Sequence, residues 1–288
     1  MANECLFEKL KGTVENANLP VLESIQQFTL DAIARGGGMT LTNEQMYWLN
    51  HFFYAIGAID NTPLWNKVAV CLIPIIGTTR ANVVKDYRRD ATLGSISSYV
   101  VNKAGGLELT FGGNFGTATG VYTATAESKV GFNAKAHTIF LVQEVTKPSE
   151  MRQIKFIANY ENSKTWKTGV NFNTNNDVPM VITTDGVDTQ TVALTNQTNY
   201  YLTILGVGNG KFTIENIGNN VDNIESNYIN RYPAPNSFDE TQTVTTWPYV
   251  LLSSGYDIKL MLIINGVLSE TEKQNVVKAI NHLYNSFQ

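Results

Sequence analysis

The stretch that decides the fold is "DIKLMLIINGVLSETEKQNVVKAINHLYNSFQ", residues 257–288. It opens with an apolar strand candidate at 257–264 and continues into a helix. Ser269 is the predicted N-cap, and Glu272 completes a capping box, in which each of the two side chains accepts a hydrogen bond from a backbone N–H of the first turn. One face of this helix is apolar and comprises Val276, Val277, Ile280, Leu283, Tyr284 and Phe287. A helix of this length is marginal alone in water, so we expect it to dock on the rest of the chain.

The composition bounds the class of protein. The chain has 288 residues, 43% of them hydrophobic, which is enough for one large or two modest domains. Its net charge is −4 and only 16% of its residues are charged. Nucleic-acid binding needs clustered Lys and Arg, and disorder needs few apolar residues and a high net charge. The sequence therefore predicts a folded protein that does not bind nucleic acid.

The cysteines and the apolar runs indicate where the protein is made. Cys5 and Cys71 are the two cysteines, and two isolated thiols do not form a disulfide framework. The N-terminus lacks the basic start and apolar middle of a signal peptide. The longest apolar run, 68–76, is shorter than the ~20 residues that span a bilayer and contains Pro74. We expect a soluble protein, made in a cytoplasm and not inserted in a membrane.

Residues 1–61 are predicted to form a helical attachment or oligomerisation segment. Its first helix ends at the glycines 36–38, and Thr42 with Gln45 forms a second capping box. The second helix is rich in aromatic residues, including Trp48, Phe52 and Phe53. Two short helices cannot bury that surface between themselves, so we expect it to pack on the following domain or on a neighbouring subunit.

Residues 62–288 are predicted to be mainly β, with a closing C-terminal helix. Short alternating segments are separated by Gly, Asn and Asp turns, which favours a jelly-roll β-sandwich. "GNGK" at 208–211 and "TTDGVDT" at 183–189 are hairpin signals, and the polar stretch 216–243 is predicted to be a long loop. The strand candidates are 67–77, 106–111, 120–127, 137–145, 152–160, 167–173, 179–184, 190–194, 200–208, 211–216 and 257–264.

The sequence offers little for catalysis or metal binding. No Glu-x-Asp pair occurs, and Asp239 and Glu240 would point to opposite faces of a strand. His51, His137 and His282 fit packing or surface roles better than a triad, and no zinc-ligand spacing is present. "TNNDV" and "GNNVDN", at 174–178 and 218–223, carry oxygen ligands suited to Ca²⁺, but Asn and Asp clusters are more often turns. We therefore predict no enzymatic activity, no metal and no cofactor, with calcium as the alternative.

Two groups of residues are candidates for binding. Aromatic side chains stack on sugar rings, although loop aromatics more often anchor the loop itself. The charge cluster 85–90 is either a solvated loop or, through Arg88 and Arg89, a patch between subunits. Trp48, Phe52, Phe53, Arg88 and Arg89 are thus the oligomerisation candidates. The carbohydrate-binding candidates are Trp166, Tyr228, Tyr232, Trp247 and Tyr249.

The C-terminal order of strand, Asn-Gly, "LSETE" and amphipathic helix resembles the concanavalin A-like, or laminin-G-like, jelly-roll domains. The stretch 64–90 is similar to the start of jelly-roll proteins of tailed-phage virions, and "GLELTFGGNFG" at 106–116 fits the same pattern. The chain departs from that pattern at Pro74, at Ile76 and through 216–249. The matching positions in 64–90 are Trp65, Lys67, Ile76, Gly77, Thr78, Asn82, Lys85 and Asp86.

The resemblance implies a non-enzymatic virion structural protein, such as a head or tail fibre or a decoration component, assembled in the host cytoplasm. Its expected partners are further copies of itself, in a homo-oligomer such as a trimer, other virion proteins and cell-surface glycans. A carbohydrate-binding adhesin or module is the alternative function. A glycoside hydrolase is the weakest, since the paired-carboxylate spacing is missing.

Overall fold

A computed structural model describes most helices and strands of the chain. The predicted strand 120–127, both calcium candidates, Cys5, Arg89 and the pair Asp239 and Glu240 lie outside the described residues. The described residues are 19–58, 62–78, 85–88, 91–92, 100–101, 107–109, 136–145, 152–160, 165–172, 179–184, 189–193, 202–208, 211–217, 226–233, 244–252 and 256–287.

Helices lie towards both ends of the chain, as predicted. A 3₁₀ helix, Pro74–Ile76, follows the first strand where Pro74 was expected to break it. The α-helices are α1 (Leu19–Arg35), α2 (Asn43–Ala55), α3 (Pro63–Lys67) and α4 (Glu270–Ser286). Both predicted capping boxes are present, Thr42 with Gln45 on α2 and Ser269 with Glu272 on α4. Helix α1 ends at its glycines, where Gly37 and Gly38 have φ values of 101° and 73° that favour glycine.

The strands form two antiparallel sheets. The larger has ten strands in the order β13-β12-β11-β6-β15-β1-β2-β3, with β5 also pairing with β15 and β4. The smaller has five strands in the order β10-β9-β8-β7-β14. The strands are β1 (Val68–Leu72), β2 (Lys85–Asp86), β3 (Ala91–Thr92), β4 (Val100–Val101), β5 (Leu107–Leu109), β6 (His137–Val145), β7 (Arg152–Tyr160), β8 (Thr165–Phe172), β9 (Pro179–Thr184), β10 (Thr189–Ala193), β11 (Leu202–Gly208), β12 (Lys211–Ile217), β13 (Ser226–Pro233), β14 (Val244–Leu252) and β15 (Tyr256–Asn265).

Both predicted hairpins are present. Gly208 pairs with Lys211, which leaves a two-residue connection between β11 and β12. Thr184 pairs with Thr189, so the second hairpin joins β9 and β10 through residues 185–188. Asn and Gly in these connections match the turn chemistry that hairpins require. The described part of the chain is therefore mainly β, with helices on either side in sequence.

The predicted loop at 216–243 is wrong in part. Strand β12 continues to Ile217, and Ser226–Pro233 forms β13, which pairs with β12 over most of its length. Residues 244–252 form β14, which the sequence did not predict either. Among the described strands, both lie at the end of the order of their sheet, each beside one neighbour. An edge strand buries less surface than a central one, which is why polar residues and prolines are tolerated in it.

The C-terminal helix docks on the ten-stranded sheet and on α2. Val276, Ile280 and Leu283 of α4 belong to one hydrophobic core with Phe140 of β6 and Leu262 of β15. The same core includes apolar residues of α1, α2, α3, β1 and β11. The helices from both ends of the chain thus share one buried layer with the sheet. The boundary at residue 61 between two domains stays a prediction.

Candidate functional site

Three of the predicted sugar-binding aromatics lie in the five-stranded sheet. Trp166 on β8 pairs with Ala158 on β7. On the other side of β7, Thr246 pairs with Asn159 and Tyr249 with Ile157, so Trp247 and Pro248 together lie opposite Ala158. This is a β-bulge, a feature that often occurs near binding sites. With strands ~4.8 Å apart, the backbones of Trp166 and Trp247 lie roughly 10 Å apart in one row across the sheet.

The other two predicted aromatics lie in the ten-stranded sheet. Tyr228 and Tyr232 are on β13, opposite Asn216 and Phe212 of β12. The five candidates therefore divide between two sheets, and only Trp166, Trp247 and Tyr249 share a row or adjacent rows. That these residues bind carbohydrate stays a prediction.

A second cluster lies where α2 meets α4. The indole of Trp48 stacks on the imidazole of His282, with ring centroids 3.9 Å apart and planes inclined by 5°. His51, one turn further along α2, meets the same indole edge-on at 5.5 Å. The ring of Tyr47 lies 4.6 Å from that of Trp48. All four side chains are half-buried, so the cluster lies between the core and the surface.

The electrostatics of this cluster keep His51 neutral. Burial, and then the charge of His282, lower the pKa of His51 from 6.5 to about 4. The Nδ1 atom of His51 is buried and has no hydrogen-bond partner among the described residues. The sequence predicted a packing or surface role for both histidines but did not indicate that they would meet.

The predicted oligomerisation residues have different environments. Phe52 and Phe53 are 0% exposed in the single chain, within the core that the helices share with the sheet. Their side chains are enclosed by the chain itself, and their assignment to oligomerisation stays a prediction. The sequence left two packing partners open for the aromatic residues of α2, the following domain or a neighbouring subunit. In the structure, Phe52 and Phe53 pack on later parts of the same chain. Trp48 is half-buried and stays a candidate.

Arg88 is held against the helices. Its guanidinium carbon lies 4.9 Å from the centroid of the Trp65 ring, within cation–π distance. Its backbone N–H donates to Oδ1 of Asp86, at 3.1 Å. Asp86 is itself 0% exposed and accepts a second bond from the N–H of Cys71, at 2.9 Å. The segment around Arg88 is thus fixed to β1 by a buried carboxylate, which a purely solvated loop would not need.

Cys71 is not placed for thiol chemistry. It is 0% exposed on β1, and it is the free cysteine among the described residues. Burial, together with the nearby carboxylate of Asp86, raises the pKa of its thiol well above the usual value. A thiol that stays protonated is a poor nucleophile and a poor metal ligand. Its environment is that of a core residue.

A small cavity lies between the sheet and α4. Lys259, 1% exposed, lines it together with Val142 and Leu260 from the sheet and Leu283 from α4. The pairing of β15 with β6 shifts between Ile258 and Leu260, so Lys259 is the extra residue of a bulge. The other residues around the cavity are apolar or aromatic, and Lys259 is the one cationic group among them.

The described residues provide no metal-binding cluster and no membrane span. Among them, no group of three or more His, Cys, Asp or Glu side chains could hold a metal ion. Within the same part of the chain, no helix has the length and apolar character needed to cross a membrane.

Comparison with known proteins gives structural neighbours only. No family model matches the chain, and no match was found among curated proteins. The Trypanosoma rangeli sialidase in complex with sialic acid is similar to 75% of the chain, with a TM-score of 0.50 and 9% identity, over 33% of the sialidase. At this identity the likeness concerns the fold alone, and the chain spans about a third of that enzyme.

Two smaller proteins match about half of the chain. One is the CBM2 module of the evolved Dit protein of Lactobacillus casei phage J-1. The match covers 49% of the chain and 69% of the module, with 16% identity and a TM-score of 0.33. The other is a galectin of Caenorhabditis elegans, and this match covers 46% of the chain and 86% of the galectin, with 12% identity and a TM-score of 0.30.

Proposed function

We propose that the chain is a non-enzymatic structural protein of a tailed-phage virion, a fibre or decoration component, that displays a lectin-like jelly-roll sandwich. One observation carries this proposal. The two segments that resemble such proteins, 64–90 and 257–288, are far apart in sequence, yet β1 and β15 within them pair directly, with Val68 opposite Ile264 and Leu72 opposite Met261.

The positions of the resemblance also have structural roles. Trp65 is 2% exposed and meets Phe28 of α1 edge-on, with centroids 5.5 Å apart. The N–H of Thr78 donates to the carbonyl of Gly36 at 2.9 Å, so the Gly-Thr turn is tied to the end of α1. Short motifs whose residues are buried or bonded are stronger support for a shared architecture than matches at exposed positions.

Assembly can be tested on the full chain in solution. We expect light scattering after size-exclusion chromatography to give a mass that is a multiple of the monomer mass of 31.9 kDa. Imaging of purified phage particles labelled with an antibody against the chain should then place it on the virion. A strictly monomeric protein at micromolar concentration, together with unlabelled particles, would contradict the proposal.

The second candidate function is carbohydrate binding, and the row of Trp166, Ala158 and Trp247 favours it. The backbones of Trp166 on β8 and Trp247 on β14 lie about 10 Å apart, with Ala158 of β7 between them, and this spacing suits an extended ligand. Aromatic stacking with hydrogen bonds from nearby polar groups suits a glycan. Sialic acid is the ligand of the sialidase in its complex, and the choice of glycan for this chain does not depend on it.

A glycan array tests this second function separately. We expect binding by the wild type, and at least a tenfold loss in Trp247→Ala and Trp166→Ala, since a buried stacking contact contributes about 1–3 kcal/mol. Leu30→Ala, an exposed change on α1, is the control and should bind as the wild type does. Equal losses in all three variants would assign the effect to stability, and no binding across a broad array would contradict carbohydrate binding while leaving virion assembly intact.

A further inference from the structure

The contact between α2 and α4 contains two histidines that share one tryptophan. His282 of α4 lies flat on the Trp48 ring, and His51 of α2 meets its edge. The two helices are further joined by a hydrogen bond from Nε2 of Gln45 to the carbonyl of Ser286, at 3.2 Å. Gln45 is at the start of α2 and Ser286 at the end of α4, so the helices run antiparallel and the histidines lie near the last turns of α4.

Protonation of His282 and protonation of His51 would have different effects on the stability of this contact. An imidazolium at position 282 would lie over the face of Trp48, where a cation–π attraction favours it. A second imidazolium at position 51 would be mostly buried and would face the first, so both burial and repulsion oppose it. The folded contact thus accepts one charge far better than two.

The charged groups on the packed helices do not compensate a charge on His51. On α4, His282 is the group whose charge acts on it, and it is repulsive, while Lys278 is exposed and equally positive. On α1, the guanidinium of Arg35 lies over the rings of Phe28 and Tyr87, and Asp31 accepts a bond from Gln27. On α2 itself, the carboxylate of Glu44 is exposed in the first turn.

We infer that the α2–α4 contact is an acid-sensitive clasp, in which uptake of a second proton, at His51 beside His282, opens the last turns of α4 while the sheet beneath stays folded.

Linkage gives the direction and the size of the effect. The pKa of His51 is about 4 in the closed contact and 6.5 where the ring is solvated, so the open form binds the proton more tightly. The contact is therefore fully effective above pH 6.5 and weakens as the pH falls towards 4. Over that interval the open population should rise on the order of 100-fold.

Hydrogen exchange of the full chain at several pH values, corrected for the intrinsic rate, measures this opening directly. Between pH 7.5 and pH 4, we expect the protection of amides 280–287 to fall on the order of 100-fold. Amides 139–142 in β6 should keep their protection. Unchanged protection at 280–287 would overturn the inference, and so would equal losses in both segments, since that is global acid unfolding.

Variants separate His51 from other acid-sensitive groups. His51→Phe keeps an aromatic ring but cannot be protonated at position 51, so the loss of protection at 280–287, on the order of 100-fold in the wild type, should be absent from this variant. Lys278→Gln, an exposed change on α4, is the matched control and should follow the wild type. In His282→Gln, an NMR titration should show a higher pKa for His51 than in the wild type, because the repulsive charge is gone. A wild-type pH profile in His51→Phe, or an unmoved His51 titration in His282→Gln, would also overturn the inference.

Discussion

Helices α2 and α4 begin alike and end in different surroundings. Each starts with a capping box and each contributes an apolar face to the same core. Helix α2 contacts both α1 and α4, and its Leu49, Asn50, Phe52 and Phe53 are buried. Helix α4 leaves Gln274, Asn275 and Lys278 exposed, so it keeps one side in solvent. Helix α2 is thus an inner helix of the layer and α4 an outer one.

The difference can be traced to the charged residues of the two helices. Within α2, "NEQMYWLNHFFYA", Glu44 is the one charged residue. Within α4, "ETEKQNVVKAINHLYNS", Glu270, Glu272, Lys273 and Lys278 are charged, and Glu270 and Lys278 are exposed. A helix without a charged face has no side that prefers water, so it needs neighbours on more than one side. The sequence of α2 therefore predicts its inner position.

The largest expected effect is the truncation of an aromatic residue of the inner helix. Phe53 is 0% exposed, and its ring meets Phe28 of α1 with centroids 4.9 Å apart. We expect Phe53→Ala to lower the free energy of unfolding by about 3–5 kcal/mol, measured by urea denaturation. Leu30→Ala on α1, 36% exposed, is the control and should cost about 1 kcal/mol or less. Similar costs for the two would mean that α2 is not an inner helix.

Much of the fold follows from local patterns. The predicted strands at 137–145, 152–160 and 179–184 have the same bounds as β6, β7 and β9. These segments alternate or are continuously apolar because they lie within sheets, where each residue meets neighbours on both sides. The capping boxes were predictable for a similar reason, since all their hydrogen bonds are local.

The edge strands were not predictable in this way. Strand β14 contains Pro248, which removes a backbone donor and argues against a central strand. In the structure Pro248 lies in the bulge opposite Ala158, at the end of the sheet order, where the missing donor is tolerated. Strand β13 carries several polar residues for the same reason: among the described strands it has one neighbour, β12. The polar composition of this segment indicated a loop, whereas the structure has an edge strand there.

The cluster at the α2–α4 contact shows a second limit. Trp48, His51 and His282 were each identified from the sequence, two with a packing or surface role and one as an oligomerisation candidate. Their meeting depends on the register of two helices whose bonded residues, Gln45 and Ser286, are 241 positions apart. Helical periodicity predicts which face of each helix is buried, but it carries no information on which residues of the two faces are opposite each other.

A buried amide of α2 provides a second stability test, with an effect of the opposite sign. Asn50 of α2 is 3% exposed, and its Oδ1 makes no hydrogen bond with the residues that the structure describes. We expect Asn50→Leu, which keeps the branching and the number of side-chain heavy atoms, to raise the free energy of unfolding by about 1.5 kcal/mol, because a buried unsatisfied acceptor is removed. Asn275→Leu on the exposed side of α4 should change it by less than about 0.5 kcal/mol. A loss of stability in Asn50→Leu would show that the amide is satisfied in solution.

The two N-caps should be nearly equivalent at neutral pH. Thr42 Oγ1 accepts from the N–H of Gln45, and Ser269 Oγ from the N–H of Glu272, each at 3.2 Å. We expect Thr42→Ala and Ser269→Ala each to cost about 1 kcal/mol at pH 7 in urea denaturation. Thr42→Ser and Ser269→Thr keep the acceptor and should cost little. A negligible cost for Ser269→Ala would indicate that α4 is held by its apolar face alone.

At acid pH the stability costs of removing the two N-caps should differ, and this is the smallest effect that we expect. Glu272 accepts from the N–H and the hydroxyl of Ser269, at 2.8 and 2.7 Å, and these bonds lower its pKa. A carboxyl with a lowered folded-state pKa stabilises the folded state above its unfolded-state pKa, and this contribution is lost as the pH falls through the folded value. The cost of Ser269→Ala should therefore shrink by a few tenths of a kcal/mol between pH 7 and pH 3.5, since Glu272 is largely exposed. The cost of Thr42→Ala should not change, because Gln45 does not titrate. Each variant is compared with the wild type at the same pH, so titrations elsewhere in the chain, including that of His51, cancel. If both costs shrank together, the charge of Glu272 could not be what distinguishes the outer cap from the inner one.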